Sequence, residues 1–227
     1  MSLVLDKMPL REPTPAGWFE VVMRDFPAFM QDHASCERKA SAMAMSMVNK
    51  FPDHEALIEP MICLAKEELA HFHEVYRILH KRGIPLAVDE RDPYVSALLK
   101  PVRHSRQEYF LDRLLVACLI EARSCERFTI VAAGLEDPEL APFYQRLARE
   151  EAGHFRVFLR LARHYFSEQQ VFDRLQYLLD VETAAMLAVP LRAAVHQSGV
   201  CAPWVYENSF KTICKPCRQK QPKPWLS

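Results

Sequence analysis

Two copies of the pattern Glu-x-x-His, 83 residues apart, constrain the fold of this chain more than any other feature. One copy runs from Glu68 to His71 and the other from Glu151 to His154. Residues three apart lie on one face of an α-helix, so the two side chains of each copy can reach the same point. In both copies they fall on the apolar stripe of the predicted helix, which is the face that is normally buried. The fold therefore has to compensate acidic and imidazole groups in its interior.

Each copy follows another predicted helix that carries a glutamate on its own apolar stripe. Glu37 lies 31 residues before Glu68, and Glu121 lies 30 residues before Glu151. A Glu from each of two helices, with Glu-x-x-His from each of the other two, holds two iron or manganese ions in carboxylate-bridged four-helix bundles. Carboxylates and imidazoles suit these metals. The pattern predicts six metal ligands, which are Glu37, Glu68, His71, Glu121, Glu151 and His154.

Three further glutamates lie close to these positions in the sequence. Glu126 is a rival to Glu121, because Ser-Cys-Glu-Arg at 35–38 recurs at 124–127. Glu126 lies about 140° off the apolar stripe, so helical phase favours Glu121 and leaves Glu126 as an outer partner of the site or as an ion-pair partner. Glu67 and Glu150, which directly precede the two motifs, are expected to be solvated neighbours.

Two other features of the helix that carries the second motif have ordinary structural explanations. Gly153 lies between the two predicted ligands, where it either opens a path for oxygen or substrate or, as the favoured explanation, permits close helix packing. Arginines recur on the face that is expected to point away from the ligands, and such a stripe is usually a solvated surface. They are Arg146, Arg149, Arg156, Arg160 and Arg163.

Apolar periodicity and helix-end signals predict an all-α, ferritin-like four-helix bundle with one additional C-terminal helix. A long crossover at 83–104, with a short helix after Asp92, separates helices two and three. Helix three opens with a capping box at Ser105, helix four at Asp137 followed by proline, and helix five with a capping box at Ser167. The predicted ranges are about 28–51, 53–81 (or 60–81 if Pro60 marks the first turn), 105–134, from 137 onward, and 167–197 with a kink at Pro190, after a short helix near 17–25. Residues 1–198 are predicted to form one domain with an N-terminal lead-in, and 199–227 a flexible tail.

Composition limits the classes of function that are possible. The chain has 227 residues, 50% of them hydrophobic, which is enough for one domain with a substantial core. Its 29 Lys and Arg balance 29 Asp and Glu, so a bulk polyanion binder is excluded and any RNA contact must be a local patch. Seven scattered cysteines, the lack of a bilayer-spanning apolar run and a polar N-terminus unlike a signal peptide predict a cytoplasmic protein with reduced thiols. Cys214 and Cys217 have the spacing of half a zinc site but no second pair.

Three segments resemble the tRNA isopentenyl-adenosine hydroxylases. They are Ile-Glu-Ala-Arg-Ser-Cys-Glu-Arg-Phe at 120–128, Lys-Glu-Glu-x-x-His-Phe at 66–72, and Asp-His-x-x-Cys-Glu at 32–37. The resemblance covers most of residues 15–197. The family consists of ferritin-like, non-haem di-iron monooxygenases, so it implies two iron ions held by the six residues named above. It also implies hydroxylation of the isopentenyl group of methylthio-isopentenyl-adenosine next to the anticodon, with O2 as co-substrate and electrons from an external donor.

The implied reaction requires an apolar pocket, a surface for RNA and an electron-transfer partner of reductase or ferredoxin type. Stripe phase predicts pocket walls at Met43, Met47, Leu64, Leu114, Cys118 and Phe158. The preferred contacts for the tRNA anticodon stem-loop are Lys100, Arg103 and Arg106, in the crossover and at the start of helix three. No membrane partner is expected.

Other functions remain possible at this level. The first is another di-iron hydroxylase, such as one that acts on a membrane quinone. The second is a ferroxidase or iron-handling protein, and the third is a metal-free helical interaction domain.

Overall fold

The computed structural model describes residues 9–196, which form seven α-helices and no strand. The four long helices pack as two close pairs, α2 with α3 and α5 with α6, while α4 and α7 pack against each other and against α5. This confirms the predicted all-α, ferritin-like class with an additional helix after the bundle. The helices are α1 (Trp18–Arg24), α2 (Phe26–Lys50), α3 (Glu55–Lys81), α4 (Pro93–Leu99), α5 (Arg106–Gly134), α6 (Leu140–Tyr165) and α7 (Glu168–Ala188).

The predicted long crossover is confirmed, and it contains the predicted short helix α4. The Asp92 carboxylate caps α4 by accepting hydrogen bonds from the backbone N–H groups of Tyr94 and Val95. The Tyr94 hydroxyl is buried and donates to Glu182 of α7 at 2.9 Å. Glu182 also pairs with the buried Arg123 of α5 at 2.8 Å. This buried polar network joins α4, α5 and α7 on one side of the bundle.

Several predicted helix ends differ from the structure. The α3 helix begins at Glu55 and contains Pro60 within it, so the proline does not mark the first turn. The Ser105 hydroxyl bonds the Glu108 side chain rather than the backbone, so the predicted capping box is incomplete. Asp137 does cap the first turn of the next helix, through the N–H groups of Glu139 and Leu140, although the helix begins only at Leu140.

The last helix confirms one end signal and corrects another. Ser167 and Gln170 form the predicted capping box, with both reciprocal bonds present. The helix ends at Ala188, before Pro190, so the proline terminates α7 and does not kink a helix that continues to 197. The predicted tail at 199–227, with Cys214 and Cys217, lies outside the described residues.

The core consists of two apolar clusters, one towards each end of the bundle. One contains Phe51, Phe110 and Phe158, and the other contains Trp18 and Phe29 among its members. On α2, α3 and α6, the apolar residues on one side of the predicted ligands belong to one cluster, and those on the other side belong to the second. The six predicted ligands therefore form a polar layer between the two apolar clusters.

The first short helix is fixed to the bundle at a glycine. The Phe19 ring of α1 lies where a Cβ at Gly134 would be. Any larger residue at the end of α5 would therefore require the Phe19 side chain to move. Among residues 9–196, none of the helices combines the length and the apolar character needed to cross a bilayer.

Candidate metal centre

The six predicted ligands meet in the polar layer, and each has at most 5% of its surface exposed. Their donor atoms form two overlapping groups, and within each group all donors lie within 4.8 Å of one another. The first group is Glu37, Glu68, His71 and Glu151, and the second is Glu68, Glu121, Glu151 and His154. The two groups share Glu68 and Glu151, as expected for two metal ions bridged by carboxylates. The structure therefore brings all six side chains together, while their role as ligands stays a prediction.

The two imidazoles face the carboxylates through Nδ1. Nδ1 of His154 lies 2.7 Å from Glu68 Oε1 and 3.0 Å from Glu151 Oε2. Nδ1 of His71 lies 3.6 Å from Glu37 Oε2 and 3.7 Å from Glu68 Oε2. The ring centroids of the two histidines are 5.8 Å apart, so the rings lie side by side at the α3–α6 contact.

Two outer glutamates contact the far sides of the imidazoles. Glu150 accepts a hydrogen bond from Nε2 of His71 at 3.0 Å, and Glu67 accepts one from Nε2 of His154 at 2.9 Å. Each contact crosses between α3 and α6, so the two are reciprocal. The side chains of Glu67 and Glu150 are solvent-accessible, as expected, at 60% and 37%, but the sequence did not predict that they also bind the histidines. A carboxylate on the outer nitrogen fixes the tautomer in which Nδ1 offers its lone pair inward.

A further buried pair supports the first glutamate. Nε2 of His33 donates to Glu37 Oε1 at 2.6 Å, and the hydroxyl of Tyr144 lies 3.2 Å from Nδ1 of His33. Both side chains are fully buried. The chain Tyr144–His33–Glu37 orients one oxygen of Glu37 and leaves the other facing His71. The sequence predicts no role for His33, which lies within the segment at 32–37, although a histidine four residues before a predicted ligand is a usable signal.

The pKa values of the cluster show that its buried carboxylates lack sufficient counter-charge. Burial raises the pKa of Glu121 well above its ordinary value, and the charges of Glu151 and Glu68 raise it further. Burial also opposes ionisation of Glu37, but the adjacent His33 lowers the pKa of Glu37 to about 2. Burial alone would lower the pKa of His71, yet the carboxylates of Glu37 and Glu68 raise it to about 11. Four carboxylates with so few counter-charges can be neutralised either by bound protons or by metal ions.

Two buried polar atoms also lack the partners that a protein interior normally provides. Nδ1 of His71 and Oε1 of Glu68 make no hydrogen bond of acceptable geometry, although both point into the cluster. Unpaired buried donors and acceptors are rare and costly. Metal coordination would satisfy both atoms, so the residues present fit a pair of iron ions.

Substitution of the outer glutamates tests their role. We expect Glu67→Gln and Glu150→Gln each to weaken metal affinity by about 10- to 100-fold, because the imidazole loses the carboxylate that orients it and makes it more basic. Competition with a chromophoric chelator measures this. Glu74→Gln is the matched control, since Glu74 lines the same surface but pairs with Arg146 and touches neither histidine. An equal loss in the control would assign the effect to surface charge alone.

The rival glutamate lies outside the cluster. Glu126 pairs with Arg123 at 2.5 Å, and it accepts hydrogen bonds from the backbone N–H and the hydroxyl of Thr14. It therefore acts as an ion-pair partner, which was one of the two alternatives left open, and it fixes the N-terminal segment to α5. The helical phase correctly predicted that Glu121 points into the cluster.

A cavity of about 530 Å³ opens beside Glu121, on the side of α2, α4 and α5. Its apolar wall includes Ala40 and Met43 of α2, Leu99 of α4, and Ala117 of α5. Of the predicted pocket residues, only Met43 lines this cavity. The other five pack in the apolar core next to it and do not line this cavity, and their assignment as pocket walls stays a prediction: they are Met47, Leu64, Leu114, Cys118 and Phe158.

The segment after α7 closes one wall of the cavity, and sequence analysis did not foresee it. His196 hydrogen-bonds Asp92 at 2.9 Å through Nδ1 and Ser124 at 3.1 Å through Nε2. The N–H of Val195 donates to Asp32 at 2.7 Å. Asp32, Asp92 and His196 all line the cavity. These contacts position residues outside the four-helix bundle against the approach to Glu121.

On the other side, a shallow polar groove between α3 and α6 lies over the two histidines. His71 and His154 form part of its floor, and Arg156 and Arg160 line it. A Cβ at Gly153 would meet nothing within 4 Å, so the expectation that this glycine permits close packing is wrong. Its lack of a side chain instead keeps the groove open beside His154.

The predicted RNA contacts are partly engaged in ion pairs. Arg103 binds the buried Asp112 at 2.7 Å, and Arg106 pairs with the exposed Asp53. Lys100 is exposed and directly follows Leu99, which lines the cavity. RNA binding by these residues stays a prediction. Of the three, Lys100 is the one that makes no ion pair with the described residues.

A family model and two relatives match this chain. A family model described as tRNA-(MS[2]IO[6]A)-hydroxylase (MiaE) matches residues 2–197. Two relatives are both named tRNA 2-(methylsulfanyl)-N(6)-isopentenyladenosine(37) hydroxylase. The one from Pseudomonas putida is 40% identical over 159 residues, covering 70% of this chain and 77% of the relative. The one from Salmonella typhimurium is 32% identical over 240 residues, covering 84% and 87%.

A solved structure shares the fold. It is described as protein 43 with aldehyde deformylating oxygenase activity from Synechococcus. The TM-score is 0.80 at 32% sequence identity, over 86% of this chain and 98% of the other. The bundle described above is therefore one that also serves an oxygenase.

Proposed function

This chain belongs to the tRNA-(MS[2]IO[6]A)-hydroxylase (MiaE) family, and from that membership we propose that it is a di-iron monooxygenase that hydroxylates the isopentenyl group of methylthio-isopentenyl-adenosine in tRNA. The observation that carries the proposal is the apolar cavity that ends at Glu121 of the buried carboxylate–histidine cluster. The family match supplies the substrate, and the cavity supplies a place for an apolar side chain next to the metals.

In the proposed centre, these six residues would hold two irons, with Glu37 and His71 in one donor group, Glu121 and His154 in the other, and Glu68 and Glu151 in both. The two irons would supply the activation of O2 that no amino-acid side chain can provide. The protein contributes a rigid ligand set, because Glu37 is fixed by His33 and each histidine is fixed by a glutamate across the helix pair. The two apolar clusters above and below the layer exclude water from the reaction.

The cavity supports the assignment of the prenyl group as the part of the substrate that enters. Its walls beside Glu121 are apolar, and its lining from α2 and the crossover mixes Lys39 and Arg91 with Asp89 and Glu90, where Lys39 pairs with Asp89 at 2.6 Å. An apolar chain fits the walls beside Glu121. Lys100, Arg103 and Arg106 remain our proposed contacts to the anticodon stem-loop.

The reaction also requires two electrons from outside the protein, so an electron-transfer partner of reductase or ferredoxin type is part of the proposal. We include a cytoplasmic location in the proposal because the proposed substrate is tRNA.

Nucleoside analysis tests the proposed function directly. Protein loaded with about two irons per chain is incubated with tRNA that carries the methylthio-isopentenyl nucleoside, together with reductant and O2. Digestion and mass spectrometry are expected to show conversion to the nucleoside with one added oxygen atom. Absence of that product with fully loaded, reduced protein would refute the assignment and return a ferroxidase or another hydroxylase to consideration.

A blocked cavity sharpens the same experiment. Ala117→Phe fills the cavity wall next to Glu121 and is expected to reduce the product strongly while iron content is unchanged. Ala42→Phe is the control, because Ala42 is exposed on α2 and is not among the cavity-lining residues. Normal turnover by Ala117→Phe with iron retained would show that the substrate approaches from another side.

A further inference from the structure

The arginines of α6 form a stripe that is not neutralised by the protein. Arg149, Arg156 and Arg160 are exposed and Arg163 is half-buried, and none of the four has a carboxylate partner among residues 9–196. They recur at steps of seven, four and three residues, which keeps them on one face over about 21 Å of helix. Arg146 differs, because it is paired with Glu74 and Glu150.

This stripe borders a groove that reaches two residues of the candidate centre from the surface. Arg156 and Arg160 line the groove whose floor includes His71 and His154. The outer nitrogens of these histidines bond Glu150 and Glu67, whose side chains are 37% and 60% exposed. A protein that covered the groove would thus be separated from the cluster by only one glutamate and one imidazole.

The groove is placed differently from the cavity. The cavity is lined by α2, α4 and α5, whereas the groove is lined by α3 and α6. A substrate that fills the cavity leaves the α3–α6 face uncovered. The two surfaces can therefore be occupied together by two different partners.

We propose that the α3–α6 face, with the arginine stripe of α6 at its edge, is the docking surface for an acidic one-electron carrier protein. This inference rests on the proposed function, since it identifies where that reaction receives its electrons. Hydroxylation of R–H by O2 gives R–OH and water and consumes two electrons and two protons. A one-electron carrier must therefore bind and leave twice in each turnover.

Charge complementarity and the apolar part of the groove favour a protein partner over RNA on this face. Acidic carriers are attracted by uncompensated arginines, which raises the association rate and permits rapid release. Ala70 and Val157 line the same groove as Arg156 and Arg160, and Ala70 is exposed. Exposed apolar area beside arginines is typical of protein interfaces, whereas RNA surfaces rely on cations and base stacking.

The test uses the iron-loaded full chain with a plant-type [2Fe–2S] ferredoxin kept reduced by its reductase and NADPH. Two readouts are measured, the affinity of ferredoxin by calorimetry at low and high salt, and the rate at which the ferric absorbance bleaches in a stopped-flow instrument. We expect Arg156→Glu with Arg160→Glu to lower both by about tenfold or more. Reduction by dithionite, a small ion that needs no docking surface, is expected to stay close to the wild-type rate.

Arg24→Glu is the matched control for a single Arg160→Glu variant. Arg24 is exposed at the end of α1 and has no carboxylate partner among the described residues. Equal losses in both variants, or wild-type binding that does not weaken with salt, would overturn the proposal. So would a loss of anticodon stem-loop affinity in the double variant with ferredoxin affinity unchanged, because the face would then bind RNA. Failure of the proposed function is seen separately, as no hydroxylated nucleoside from dithionite-reduced wild type.

Discussion

Glu121→Ala is expected to abolish hydroxylation and to remove at least one iron. Glu121 is 5% exposed, belongs to one of the two donor groups and lines the inner end of the cavity. Alanine removes the carboxylate and leaves Glu151 and His154 with an incomplete set of ligands. Elemental analysis and the nucleoside assay measure the two losses in the same preparation.

Glu126→Ala is the control from the same helix, five residues further on. We expect it to keep two irons and to lose about 1–3 kcal/mol of unfolding free energy, since Arg123 and Thr14 lose a hydrogen-bond partner. Arg123 retains Glu182, so the buried guanidinium is not left unpaired. If Glu126→Ala emptied the site and Glu121→Ala did not, the assigned phase of α5 would be wrong.

Arg103→Glu is expected to destabilise the fold rather than to act on RNA alone. Asp112 is fully buried and is held by Arg103 and by Arg174, with four side-chain contacts of 2.7–3.1 Å. A glutamate at 103 would remove one cation and place a second carboxylate beside the first. Arg103 is itself 36% exposed and Arg174 remains on Asp112, so we expect a loss of about 2 kcal/mol, which corresponds to a fall in melting temperature of about 4–8 °C for a chain of this size. Thermal unfolding of the two proteins measures it.

Arg106→Glu serves as the comparison, because Arg106 pairs with Asp53, which is itself 56% exposed. A much smaller loss of stability is expected there, since water screens an exposed ion pair.

The ion pairs of Asp112 also make the stability depend on pH. Burial opposes ionisation of Asp112, but Arg103 and Arg174 lower its pKa below the ordinary value. Its stabilisation is therefore present at neutral pH and is lost as the pH falls through the lowered pKa. An RNA-binding test should accordingly use Lys100→Glu, with Arg103 left intact.

The sequence predicts which six side chains lie together in the interior because burial and helical period act together. Glu37, Glu68, Glu121 and Glu151 each interrupt an apolar stripe, and a common interior site explains all four interruptions. The contacts of the two outer glutamates could not be predicted in this way. Glu67 and Glu150 lie about 100° from the stripe, where solvation is the usual outcome, and their partners belong to another helix. Only the packing of α3 on α6 brings them to the histidines.

The cavity could not be predicted for a different physical reason. Stripe phase identifies which side chains are buried, but it does not show where packing leaves a void. Met47 and Phe158 are buried in a filled core, while Ala117 lines the open space a short distance away. Two of its walls come from α4 and from His196, which follows α7. Neither belongs to the four helices whose apolar stripes predict the site.

The reciprocal contacts between α3 and α6 divide the candidate centre between two parts of the chain that are synthesised at different times. Glu37, Glu68 and His71 leave the ribosome well before Glu121, Glu151 and His154. Until the second set emerges, the first offers two carboxylates and one imidazole, with no Glu150 to orient His71. Three loosely held donors cannot form a bridged two-metal site. In the proposed centre, metal insertion would therefore follow the synthesis of α6 and would require that the two helix pairs have already packed together.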